Sequence, residues 1–229
     1  MKLNLLLTLA AVVAFGSMTA QAQSETDFTF GVNQPVPDNN PVGLTLSTNL
    51  TVAGGSISSL TVALDISGGF NGDLYAYLTG PNGGFAMLLN RVGVSNTASQ
   101  FGYADPGFEV TFDDTAADSI QYYQNDSPVF NGSGQLTGTW QPEGVTIAPN
   151  SPPANFLGAP QSAMLDSFDG TDPNGTWTLF LADLSAGGQS TVVNWNLDIT
   201  TVPEPSELML LGVGLAGVVL LFRRRKQTK

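Results

Sequence analysis

The chain has 229 residues, no His, no Cys, 26 Gly, 14 Pro and a formal charge of −12. The two absences exclude a Ser-His-Asp triad, a Cys-His pair, a Cys/His zinc site and any disulfide framework. Charged residues make up 11%, against about 25% in an average soluble protein, while 42% apolar residues are enough for a core and argue against wholesale disorder.

Charge is distributed unevenly. Between Gln23 and Val202 stand 17 acidic residues and one basic residue, Arg91, a formal charge of −16. The other bases lie at the ends: Lys2, Arg223, Arg224, Arg225, Lys226 and Lys229. Such a body repels nucleic acid and anionic lipid, so no nucleic-acid partner is expected. It also lacks Lys, which removes Schiff-base chemistry.

In chain order, Lys2 precedes an apolar run from Leu3 to Phe15, and Ala20-Gln21-Ala22 forms a small-x-small cleavage site. Residues 1–22 read as a secretory signal peptide, cut by signal peptidase to leave Gln23 first. Residues 23–202 have the size of one domain and read as all-β, with residues 23–33 as its lead-in. Its predicted strands centre on Leu44–Leu46, Leu60–Leu64, Leu74–Leu78, Met87–Leu89, Phe108–Phe112, Trp177–Leu181 and Val193–Leu197. Period-two alternation bounded by Gly, Pro and Asn is the strand signature. Gly80-Pro81-Asn82-Gly83 reads as a hairpin turn, with Pro fixing φ and Gly allowing φ > 0. Residues 121–160, rich in Gln, Asn, Ser, Gly and Pro, read as long loops holding one ordered insertion, Thr139–Glu143. Trp177 and Trp195 alternate with polar residues and are assigned to the core, carbohydrate stacking being the other role open to them.

The end of the chain reads Val202-Pro203-Glu204-Pro205, then apolar Leu208–Phe222, then Arg223-Arg224-Arg225-Lys226. As a helix the apolar run spans about 22 Å, short of a hydrocarbon core of about 30 Å, but snorkelling and bilayer thinning allow it to cross. The basic end would stay cytoplasmic and the acidic body outside.

Pro-Glu-Pro, a short apolar helix and an Arg-rich end, over residues 202–229, resemble the PEP-CTERM sorting tail of bacterial proteins. The resemblance implies a Gram-negative protein that passes the inner membrane and is released to the cell surface or extracellular matrix. An exosortase would cut it at or near Pro203, Glu204 and Pro205. The two prolines keep that segment extended and accessible to a peptidase.

A second resemblance covers about residues 34–200. Its blocks are Asn71-Gly72-Asp73-Leu74 through Gly80-Pro81-Asn82-Gly83, Leu88-Leu89-Asn90-Arg91-Val92-Gly93, Phe168–Leu179, and Ala182-Asp183 through Trp195–Ile199. Val36–Asn39, Phe112-Asp113-Asp114 and Pro142-Glu143 fit the same order. These resemble the P/Homo B domain of subtilisin-like proprotein convertases. The resemblance implies an all-β fold, a jelly-roll-like barrel or sandwich of about eight strands. The triad of that family's catalytic partner is impossible here without His, so no catalytic residue is assigned and no enzyme activity is expected. Relatives of this fold include calcium binders. A structural Ca²⁺ would take Asp73, Asp113, Asp114 and Asp183 as ligands; otherwise these are turn formers and solvated loop charge. No other cofactor is expected. The combined expectation is a non-catalytic secreted surface or matrix protein. The alternative is a module that binds a glycan or matrix polysaccharide, or a separate subtilisin-like serine endopeptidase.

Overall fold

The structure is a computed structural model and describes residues 23–202. Ten strands form two open sheets. They are β1 (Ser24–Pro35), β2 (Asn40–Leu50), β3 (Ser56–Gly68), β4 (Leu74–Thr79), β5 (Phe85–Asn90), β6 (Gly107–Phe112), β7 (Val129–Phe130), β8 (Leu136–Trp140), β9 (Gly175–Asp183) and β10 (Ser190–Val202). One sheet runs β1-β10-β3-β6-β8-β7 and the other β2-β9-β4-β5. Every pairing is antiparallel except β6 with β8.

Alternation drives this arrangement. In β3, Val62, Leu64 and Ile66 are buried while Thr61, Ala63 and Asp65 between them are partly exposed. β4 and β10 repeat the pattern with Leu74, Ala76 and Leu78 and with Trp195, Leu197 and Ile199. Together with Trp177, Leu179 and Leu181 of β9 they belong to one apolar cluster. Each Val, Leu or Ile among them contributes about 1.5–3 kcal/mol on full burial.

The all-β expectation holds, with ten strands rather than about eight, as a sandwich rather than a closed barrel. β1 bonds only to β10 and β2 only to β9, and a cleft of about 360 Å³ opens between these two edges, lined by Phe30, Leu46 and Trp195. The edges are blunted. β1 carries Glu25 and Asp27, and β2 shifts register between Asn40 and Leu44. Charge and bulges on edge strands deter pairing with other chains.

Two segments differ from their sequence reading. The lead-in is strand β1, paired from Ser24 opposite Thr201 to Pro35 opposite Thr191. The loop region 121–160 holds β7 and β8, and the expected insertion at Thr139–Glu143 is partly the end of β8. The signal peptide with Ala20 and Ala22, the Pro203-Glu204-Pro205 motif, the apolar helix 208–222 and the basic end Arg223–Lys226 lie outside the described residues. Among the described residues no helix is long and apolar enough to cross a membrane.

Candidate functional site

The site begins where β3 ends. Gly68 pairs with Ser190 at one pole of the sandwich, whereas Ser56 pairs with Val202 at the other. The 13 residues of β3, at about 3.3 Å each, put the poles about 40 Å apart.

Asn71-Gly72-Asp73 forms one 3-10 turn after β3, all three residues buried. Asn71 acts as a clamp. Its Nδ2 donates to Gly107 O (3.1 Å) and Tyr123 Oη (3.0 Å), and its Oδ1 accepts from Gly107 N (2.8 Å). Gly72 lets another strand of chain cross it. A Cβ there would lie 2.4 Å from Phe101 O and 2.6 Å from both Gly102 Cα and Tyr103 N. That crossing is held by Gly72 N donating to Tyr103 O (2.8 Å) and Tyr103 N donating to Val92 O (3.0 Å). All three close atoms are backbone, so Gly72→Ala must displace the 101–103 segment. The expected loss is about 1–3 kcal/mol. In hydrogen exchange the Tyr103 amide should lose more protection than amides of β3; equal loss throughout would mean that the crossing is not the strained point.

Asp73 and Asp183 come together with Asp38 at this pole. Leu74 pairs with Asp183, and Leu184 N donates to Asp73 O (2.9 Å). Burial raises the Asp73 carboxyl above its ordinary range. A hydrogen bond from Ser185 and the charge of Arg91 oppose the rise, and Asp38 adds to it. Burial, with Asp73 and Asp38 adding, pushes Asp183 up to about 6 against the hydrogen bonds of the Ser185 and Asn39 backbone. Oδ1 of Asp183 accepts from Ser185 N (3.2 Å), while its buried Oδ2 has no partner among the described residues. Arg91, the body's one base, points its guanidinium at Gly72 O and Pro149 O, both at 3.4 Å.

Asp113 and Asp114 sit elsewhere and do other work. Asp113 Oδ1 accepts from the backbone N and Oγ1 of Thr115, both at 2.8 Å. Asp114 accepts from Leu165 N (3.0 Å) and Asp166 N (2.7 Å), tying the end of β6 to a distant 3-10 turn. The four acids expected around calcium therefore form two separate pairs, and among the described residues no three acids, Asp38 with Asp73 and Asp183 included, are arranged so that they could hold a metal ion. Trp177 and Trp195 are both buried, at 0% and 2% exposure.

Glu143, placed by the sequence in the Pro142-Glu143 block and the ordered insertion, is fully buried, which the sequence does not show. Glu143 accepts from Asn90 N, and both of its carboxylate oxygens lie 2.9 Å from the Gln121 amide nitrogen in the orientation that lets it donate. Burial holds its carboxyl well above the ordinary range. Around it Glu143 N donates to Leu88 O (3.2 Å) and Gly144 N to Met87 O (2.9 Å), so the acid pins its loop to β5 rather than facing a ligand.

Residues 201–226 match the PEP-CTERM protein-sorting motif. The tail is a PEP-CTERM sorting signal. Proteins with this signal are processed by exosortase and reach the cell envelope or exterior of Gram-negative bacteria. The match begins on the last two residues of β10, so Pro203 comes directly after the last strand of the described residues. No curated protein matches the sequence. Among solved structures, the complex of Aeromonas sobria serine protease with the chaperone is similar at 14% identity, with 86% of this chain, 29% of that chain and a TM-score of 0.46. The same organism's serine protease alone is similar at 13% identity, with 86% of this chain, 30% of that chain and a TM-score of 0.44. The chain spans less than a third of the length of either.

Proposed function

We propose that this protein is an exosortase substrate whose β module has a non-catalytic structural or binding use at the cell surface or in the extracellular matrix. The observation that carries the reading is the sorting motif at residues 201–226, abutting β10 with no intervening linker. The non-catalytic part rests on chemistry. The chain has no His or Cys, and the acids expected at a metal site cap turns and amides or lie apart. The P/Homo B-like blocks also make structural sense together. Those holding β4, β5 and β9 are neighbours in one sheet although about a hundred residues separate them in the chain.

Intact mass of the protein from its own cells, measured by cell fraction, tests this. A chain from about Gln23 to near Val202, in medium or matrix, is the expected product. A chain that keeps Leu208–Lys229 in the membrane fraction would overturn exosortase release.

A further inference from the structure

A cavity of about 280 Å³ opens at the Asp73 pole. Asp73 and Ser185 line it together with Phe70, Phe101 and Tyr103. We propose that this cavity receives one basic side chain, a lysine ammonium or an arginine guanidinium, from a partner protein. The inference goes beyond the sorting reading and does not depend on it.

The lining selects a cation. Aromatic walls attract ammonium and guanidinium groups through the ring quadrupole, most strongly when the group is drawn out of water. A carboxylate inside the same cavity completes the match. The neighbourhood has an excess of negative charge. Asp38 and Asp183 stand beside Asp73, the buried Oδ2 of Asp183 has no partner among the described residues, and the guanidinium of Arg91 is turned to backbone carbonyls.

Size and oxygen count narrow the occupant. At about 280 Å³ the cavity sits at the lower edge of the range of about 300–1,000 Å³ used by whole small molecules, and it has room for one side chain. A calcium ion wants about six to eight oxygens. Among the lining side chains the one carboxylate is Asp73, with the Ser185 hydroxyl beside it, and no three acids among the described residues are arranged so that they could hold a metal ion.

Accessibility points to a macromolecule. Phe101 is 77% exposed and Phe70 39%, giving the cavity an apolar rim of the kind that protein contacts cover. The pole is also the one away from Ser24 and Val202, so a chain held at either end presents it outward. The body has no Lys and its only Arg is engaged.

The test uses the full chain in mild detergent, titrated by NMR with N-acetyl-lysine methylamide, N-acetyl-arginine methylamide, the neutral N-acetyl-norleucine methylamide, and CaCl₂ separately. The two cations should bind and shift the resonances of Gly102, Ser185 and Ala186. The norleucine compound should bind at least about tenfold more weakly. Asp73→Asn should cost about tenfold in cation affinity. Phe101→Ala, at an exposed position and so safe for folding, should weaken cation binding severalfold without moving Tm. Equal binding of norleucine, no cation binding at tens of millimolar, unchanged affinity in Phe101→Ala, or Ca²⁺ alone shifting these resonances would each overturn the proposal.

Discussion

Trp177→Ala lowers the free energy of unfolding by about 3–5 kcal/mol, the range for deleting a buried aromatic. Trp177 is fully buried in β9, its ring centroid 5.0 Å from that of Phe168. Its Nε1 donates to Pro173 O at 2.9 Å, which fixes the turn that launches the strand. Truncation removes that bond and leaves a hole between two sheets that cannot close independently. Trp195 offers the contrast. It is 2% exposed and packs on Phe30 at 4.5 Å, but it also lines the open cleft between β1 and β2. Water can fill a hole there, so Trp195→Ala should cost less. Urea midpoints rank the two. A Trp177→Ala protein that unfolds with the wild type would remove the tryptophan from the core.

Stability also rises as the pH falls from about 7.5 to about 4.5. Three acids set the sign. Burial raises Glu143 well above its ordinary range. Burial, helped by Asp73 and Asp38, takes Asp183 to about 6. Burial, a hydrogen bond with Glu25 and the charges of Glu25 and Asp27 take Asp198 to about 6, with Asp27 directly across the strand pair. Each binds its proton more tightly in the folded chain than in the unfolded one. The stability each contributes is therefore complete below the unfolded value, 3.8 for the aspartates, and lost as pH climbs through the folded value. For the buried Asp183 this amounts to roughly 2–3 kcal/mol. Asp198 is more exposed and solvent screening trims its share. Urea unfolding at both pH values checks the sign, and Glu143→Gln, Asp183→Asn and Asp198→Asn should each flatten the dependence. Asp198→Asn should in addition stabilise the protein at pH 7.5, because it removes a like charge facing Asp27. A wild type more stable at pH 7.5 than at 4.5 would refute the account.

The strands that alternate strictly are legible in the sequence itself. Leu60–Leu64 and Leu74–Leu78 declare one buried face, and the Gly80–Gly83 turn between β4 and β5 places Gly83 at φ +84° as a hairpin requires. β1 was hidden although Phe28, Phe30 and Val32 alternate, because its outward acids and its place beside the cleavage site suggested a leader. β8 was hidden for two reasons. Gly138, at φ +103°, interrupts its pattern, and the strand it meets across the Asn131–Gln135 hairpin, β7, is only two residues long. At the site, Asn71-Gly72-Asp73 stood out as a motif. Its walls did not, because Phe101, Tyr103 and Ser185 reach it only through the chain crossing at Gly72 and the turn after β9. The carboxylates were visible but not their jobs. Asp114 meets amides 51 and 52 residues away, and Glu143 sits in a polar stretch with nothing local to mark it as buried.

The pairing of β1 with β10 dictates an order of events. β1 is synthesised and exported first, yet its one neighbour in the sheet is the last strand of the body, with Ser24 opposite Thr201. Contacts so distant in sequence are slow to form, because a long loop must close before they contribute. The six-stranded sheet can therefore complete its β1 edge only after the whole body has crossed the membrane. Until then Phe28, Phe30 and Val32 have no sheet to pack on. Folding of this edge is a post-export event, timed by the arrival of the residues just ahead of the sorting motif.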